Sequence, residues 1–268
     1  MKKTFDKKSI ILIVILVISI FVFLILSYIL YSYFSNKFSF EDFALDIYDK
    51  NNKQIFTIDK IVLFSSCNSE SSINTNSTIT INNLTQYTDI AIFINNSSEE
   101  HDLSNTLKSV SIKNFSFNNT PKLGTYNIYY KSLNDFAKYS FLEDNLIDDE
   151  LDFEIISSDE ADYSRPVLFN NCANPITLSY VNSNIKNDYT ITNDASISYD
   201  GSLLKKCNIL LSDISCSFSF TIFIENNLGE KFKCPVYIDV PFENDTSSIY
   251  DGSLTYTYNP NFVFYRYE

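Results

Sequence analysis

The sequence has no tryptophan, one methionine, one histidine and four glycines among its 268 residues. Phosphate-binding loops need several glycines in one short stretch, so a nucleotide site of that kind is excluded. The single histidine, His101, lies in a polar stretch typical of a surface loop, and it cannot complete a Cys/His zinc site of ordinary spacing. No C-x-x-C or G-x-S-x-G motif occurs. We therefore expect no metal, no cofactor, no catalytic residue and no enzymatic activity.

Positive charge is also scarce, with 20 Lys and Arg against 33 Asp and Glu and a formal net charge of −13. A strongly acidic body repels phosphate backbones, which argues against a nucleic acid partner. A basic cluster does occupy residues 1–9, with four lysines: Lys2, Lys3, Lys7 and Lys8.

An uncharged apolar run follows this cluster, from Ile10 to Phe34. At 1.5 Å per residue, 21 helical residues of it span about 31 Å, which matches a hydrocarbon core of about 30 Å. A cleaved signal peptide would have an apolar region of only about 7–15 residues and a small-residue cleavage site, and neither fits here. The run therefore predicts an uncleaved transmembrane signal anchor over residues 10–34, with the lipid bilayer as its partner.

The flanks of the run predict its orientation. Lysines precede it, whereas Lys37 after it is followed by Glu41 and Asp42. By the positive-inside rule, residues 1–9 lie in the cytoplasm and the body of the chain lies outside the cell membrane.

After residue 38 the pattern changes to alternation, which is clearest in residues 216–225 and 231–242. A three-residue turn at 227–229, with Gly229 in the left-handed conformation, aligns the apolar faces of the two runs and pairs Ile224 with Phe232. In this register Cys216 and Cys234 are six positions apart along the ladder, too far for a disulfide.

This hairpin resembles the final two strands of bacterial immunoglobulin-like modules, and the resemblance implies a fold class but no activity. We expect an all-β body of antiparallel β-sandwich, immunoglobulin-like modules. A short helical turn is expected near 133–139, and the motif YDGSL, at 199–203 and 250–254, is expected to open a strand each time. Further strands are predicted at 43–48, 54–64, 78–81, 89–94, 109–117, 125–130, 167–169, 176–181, 189–191, 203–209 and 253–258.

An acidic stretch without Lys or Arg, residues 143–162, predicts a connector between two β modules, 40–142 and 163–268. Its Phe153, Ile155 and Ile156 leave open a strand inside one continuous domain. The carboxylates could bind Ca²⁺, but they lack the order of an EF-hand loop, and a solvated connector fits them better.

Five cysteines stand at Cys67, Cys172, Cys207, Cys216 and Cys234. Outside the membrane a disulfide is permitted, and Cys207 with Cys216 is the best pair across a tight connection. The alternative is that these cysteines are small buried apolar side chains.

These features predict a non-enzymatic, single-pass protein for adhesion, scaffolding or partner binding at the cell envelope, with a protein or glycan partner outside the cell. The 23 Phe and 19 Tyr suit a β core, although tyrosine can also stack on sugars. Two alternatives remain: an envelope hydrolase that uses paired carboxylates, and an accessory subunit that binds a membrane complex through its span.

Overall fold

The computed structural model describes residues 6–53, 55–73, 78–96, 102–135, 138–139, 145–157, 162–191, 197–241, 248–260 and 262–267. The chain forms two compact units, Met1–Asn52 and Lys53–Glu268.

The first unit is built on one helix, α1, Lys7–Lys53. Within it, Ile11–Leu45 is long and apolar enough to cross a membrane, and its large apolar side chains are exposed. The strand predicted at 43–48 is wrong, because these residues belong to α1. No glycine or proline precedes Pro121, so no helix-breaking residue interrupts α1 before it ends at Lys53, and extending a helix adds a hydrogen bond for every residue fixed.

The second unit is rich in strands, which form two sheets, and its helices are short. The helices are α2 (Ser202–Lys206) and α3 (Leu211–Ile214), with 3₁₀ turns at Leu133–Asp135 and Ile249–Asp251. The strands are β1 (Phe56–Ile73), β2 (Ile79–Asn96), β3 (Leu107–Asn119), β4 (Thr125–Tyr130), β5 (Glu150–Ile156), β6 (Val167–Phe169), β7 (Ile176–Ser183), β8 (Tyr189–Ile191), β9 (Cys216–Asn226), β10 (Lys231–Val240), β11 (Leu254–Tyr258) and β12 (Tyr265–Arg266).

Among the described residues, each sheet has six strands. The first sheet has the order β11-β1-β2-β7-β4, with β8 also paired to β2. The second sheet has the order β12-β10-β9-β3-β5-β6. All the pairings are antiparallel except that of β5 with β6, which is parallel.

The predicted division into modules 40–142 and 163–268 differs from the structure. Strand β2 pairs with β7, and β3 pairs with β9, so strands from both ranges share both sheets. The acidic range 143–162, predicted as a connector, contains β5, which pairs with β3 and β6. Periodicity within a strand carries no information on which distant strand pairs with it, so the local pattern could not exclude two modules.

The hairpin of β9 and β10 has the predicted register. Ile224 faces Phe232, Cys216 faces Val240 and Cys234 faces Ile222. Gly229 has a φ of 82°, which is the left-handed conformation that the three-residue turn requires.

The main hydrophobic core takes residues from both sheets. Phe218 of β9 stacks on Tyr180 of β7 with ring centroids 6.0 Å apart, and Phe232 of β10 packs against Phe56 of β1 at 5.4 Å. These contacts join residues of both sheets in one buried cluster.

A second buried cluster lies beneath α2 and shows that the strand predicted at 203–209 is wrong. Leu203, Leu204 and Cys207 are all fully buried. Their spacing suits one face of a helix rather than alternation. The first YDGSL motif therefore opens a helix, whereas the second precedes β11 as predicted.

The two YDGSL motifs contact each other. A Cβ added to Gly201 would lie 2.0 Å from the carbonyl oxygen of Ile249 and 2.3 Å from that of Gly252, so no side chain fits at position 201. The hydroxyl of Tyr250 also donates a hydrogen bond to the carbonyl oxygen of Ile209.

A buried ion pair covers part of the first sheet on the side opposite its core residues. Lys131, just after β4, lies 3.3 Å from the carboxylate of Asp89 on β2, and the two side chains are 2% and 0% exposed. The hydroxyl of Ser179 donates to the same carboxylate at 2.7 Å, and Lys131 also donates to the carbonyl oxygen of Lys138. The pair therefore attaches the segment after β4 to the sheet.

Replacing one partner of this pair is expected to destabilise the second unit strongly. Lys131→Met removes the buried counter-charge of Asp89 while the carboxylate stays buried, at a cost of about 3–5 kcal/mol. Combining Lys131→Met with Asp89→Leu should restore most of this loss. The measurement is urea unfolding of the full chain in lipid nanodiscs, followed by circular dichroism.

Lys113→Met is the matched control, because Lys113 pairs with Glu150 at an exposed position, and it should change the unfolding midpoint little. Equal midpoints for Lys131→Met and Lys113→Met would contradict the role of the buried pair.

Candidate binding groove

The candidate site lies on the outer face of the second sheet, opposite its core residues. Side chains alternate across a strand, so burial of Ile222 and Ile224 in β9 directs Thr221, Phe223 and Glu225 to the other face. Polar residues are expected on a solvent face, which makes the half-buried aromatic ring of Phe223 the unusual member of this set.

Strand pairing brings the residues around Phe223 into two rows. Phe223 lies opposite Ser111 of β3 on one side and Lys233 of β10 on the other. In the neighbouring row, Glu225 lies between Ser109 and Lys231. Adjacent strands are about 4.8 Å apart, so each row spans three strands within about 10 Å.

These rows form a shallow groove with a volume of about 280 Å³. Below it is called the outer groove, and its floor is the sheet itself. Its lining consists of Ser109, Ser111, Lys113, Phe223, Ile224, Glu225, Lys231 and Tyr267.

An aromatic wall closes one side of the outer groove. The ring of Tyr267 meets Phe223 edge to face, with centroids 5.9 Å apart and an interplanar angle of 83°. The ammonium group of Lys233 lies 5.4 Å from the Tyr267 ring centroid, a cation–π contact. The backbone N–H of Tyr267 donates to the carbonyl oxygen of Lys231 at 2.9 Å. Three contacts therefore position this tyrosine.

Ion pairs surround the groove. Lys108 lies 2.5 Å from the carboxylate of Glu225, and Lys113 pairs with Glu150 on β5. The hydrogen bond to Glu150 raises the pKa of Lys113, so this side chain stays charged. Hydroxyls, a carboxylate and ammonium groups thus surround an aromatic surface, and this arrangement can hydrogen-bond a polar ligand that also has an apolar face.

The acidic stretch does not assemble a metal site in the part of the chain that the structure describes, where no group of three or more His, Cys, Asp or Glu could hold an ion. On β5, Glu150 and Glu154 instead pair with Lys113 and Arg165. Asp162 accepts hydrogen bonds from the backbone and hydroxyl of Ser164, which lower its pKa. His101 lies outside the described residues.

All five cysteines are free thiols. Cys207 belongs to the cluster beneath α2 together with Cys67, whereas Cys216 belongs to the main core, so the pair expected from sequence is separated. Burial raises the pKa of Cys216 to about 11 and that of Cys172 to about 12. The alternative predicted from sequence, small buried apolar side chains, therefore describes four of the cysteines, and Cys172 is partly buried.

Comparison of the chain with protein-family models, curated proteins and solved structures found no match. The outer groove is therefore argued from its own geometry. Sequence analysis did not identify it, although one signal was present: Phe223 is an aromatic residue on the polar face of an alternating strand.

The thiols are expected to be unreactive in the folded protein. At about pH 8, a thiol with a pKa of 11–12 is almost entirely protonated, and only the thiolate reacts. Ellman's reagent should label native protein slowly, with a rate that rises as the pH approaches these pKa values.

In concentrated urea without reductant, all five thiols should react. If only three thiols reacted, because one disulfide had consumed the other two, the free thiols of the structure would be contradicted. The result would then support a disulfide such as the one predicted from sequence.

Proposed function

We propose that this chain is a single-pass membrane protein that displays an immunoglobulin-like β-sandwich outside the cell membrane and acts there as a non-enzymatic binding module. The observation that carries the proposal is the outer groove, an aromatic and polar concavity on the solvent face of a sheet. A ligand held there would contact Phe223 and Tyr267 and the polar side chains around them.

The sandwich assignment is supported by the main core, to which both sheets contribute, and by the β9–β10 hairpin. Two sheets that bury their facing sides against each other are the basis of sandwich architectures. The resemblance of the hairpin to immunoglobulin-like modules points in the same direction.

Membrane attachment is supported by the exposed apolar side chains of Ile11–Leu45. Left in water, these side chains would make a large apolar surface, whereas a bilayer solvates them. The lysines before the span favour a cytoplasmic N-terminus and an external β unit.

The first test is membrane topology. Full-length protein with a C-terminal epitope tag should stay in the membrane pellet after carbonate extraction, and protease added to intact cells should remove the tag. In a variant with Lys2, Lys3, Lys7 and Lys8 all changed to Glu, the tag should be protected from protease in part of the protein population, because the reversed charge bias places the N-terminus of those molecules outside.

A soluble protein in the medium whose N-terminus lies after Tyr33 would contradict the anchor. A tag protected in intact cells would contradict the external location.

The second test maps the binding surface. A photo-crosslinking amino acid at Ser111, within the outer groove, should give discrete adducts on intact cells. The same amino acid at the exposed Thr255 of β11, in the first sheet, should give none. Phe223→Ala should reduce the Ser111 adducts by about five- to tenfold, because an aromatic contact contributes on the order of 1–1.5 kcal/mol.

Adducts from Thr255 and Ser111 in equal yield, or none from either position, would contradict a binding role for the groove.

A further inference from the structure

We infer that the outer groove binds a neutral oligosaccharide, with one sugar ring against the aromatic wall of Phe223 and Tyr267. This inference rests on the proposed function and names the class of ligand that the groove accepts.

The shape of the groove favours one or two units of a chain. At about 280 Å³ it is slightly smaller than the 300–1,000 Å³ of typical small-molecule pockets, and it is shallow rather than enclosed. A stable protein interface buries about 800 Å² on each partner, far more than such a groove supplies. An oligosaccharide can leave its remaining units in solvent while one ring occupies the groove.

The lining matches both the apolar face and the polar edge of a sugar ring. A pyranose ring presents C–H groups on one face, which pack on an aromatic surface, and hydroxyls around its edge. Each sugar hydroxyl both donates and accepts hydrogen bonds. It can therefore hydrogen-bond with the hydroxyls of Ser109 and Ser111 and donate to the carboxylate of Glu225. A purely apolar ligand would displace water from the hydroxyls of Ser109 and Ser111 without replacing its hydrogen bonds, which is costly.

The charges around the groove favour a neutral sugar over an anionic one. Lys113 and Lys231 line the groove together with Glu225, Glu150 pairs with Lys113, and Asp152 lies opposite Ser111 in the Phe223 row. These carboxylates offset the neighbouring lysines, and the whole chain carries −13. A sulfated or phosphorylated chain would therefore gain little from the lysines of the groove and would be repelled by the net charge of the whole chain, whereas a neutral chain would not.

The experiment uses the full chain in phosphatidylcholine nanodiscs, whose headgroups contain no sugar, on an array of neutral and sulfated oligosaccharides. Titration of the strongest neutral ligand by calorimetry should follow. We expect a neutral ligand to bind with a dissociation constant of about 0.1 mM, typical of a small contact. Phe223→Ala should weaken binding by about five- to tenfold, whereas Thr221→Ala, the next outward position on β9, should change it less than about twofold.

Tyr267 provides a second comparison that separates loss of the ring from loss of the hydroxyl. Tyr267→Phe should retain most of the affinity and Tyr267→Ala should lose it, if the ring face makes the contact. Unfolding midpoints measured for each variant show whether a loss comes from the groove or from misfolding.

Three outcomes would overturn the inference: no neutral oligosaccharide bound by the wild type, preference for the sulfated set, or equal affinity of wild type and Phe223→Ala. Failure of the inference is distinguishable from failure of the proposed function. An empty array together with groove-specific crosslinks on cells rejects the sugar and keeps the binding module, whereas the loss of both rejects both.

Discussion

The alternating faces of β9 and β10 are the constraint on which the rest of the structure depends. The inward residues of β9, from Cys216 to Ile224, are each at most 2% exposed. Burial of one large apolar side chain contributes about 1.5–3 kcal/mol, so a shift of register by one residue would expose the whole set. The same alternation places Phe223 on the outer face. The core therefore decides where the outer groove lies.

The outer faces of the two described sheets differ in how far their aromatic side chains are covered. This difference explains why the outer groove lies on the second sheet. On the first sheet, Tyr87 and Tyr129 are buried. Tyr139, in the segment after β4, packs at a tilt with its ring centroid 5.3 Å from that of Tyr87, and the buried pair of Asp89 with Lys131 attaches the same segment to the sheet. On the second sheet the corresponding aromatic side chains stay half-exposed. Access to solvent, and not aromatic content, therefore separates the covered outer face of the first sheet from the outer face that carries the groove.

Sequence reasoning succeeded where the determinants were close together in the chain. The register of the β9–β10 hairpin followed from period-two alternation and the turn at Gly229, and β4 and β6 were predicted with their observed bounds. It failed at 43–48 and 203–209, where a short apolar run was compatible with both strand and helix. The candidate site was missed, because its residues come from β3, β9, β10 and the C-terminal segment.

The sequence by itself therefore determined the apolar helix near the N-terminus, the acidic character and the β-rich body, because each depends on composition or on contacts between near neighbours. The tertiary structure alone decided that β2 joins β7, that β3 joins β9, and that Ser111, Phe223 and Tyr267 line one groove. The physical reason is that pairing between distant strands is selected by how well all their buried faces pack at once, and no local window of the chain contains that information.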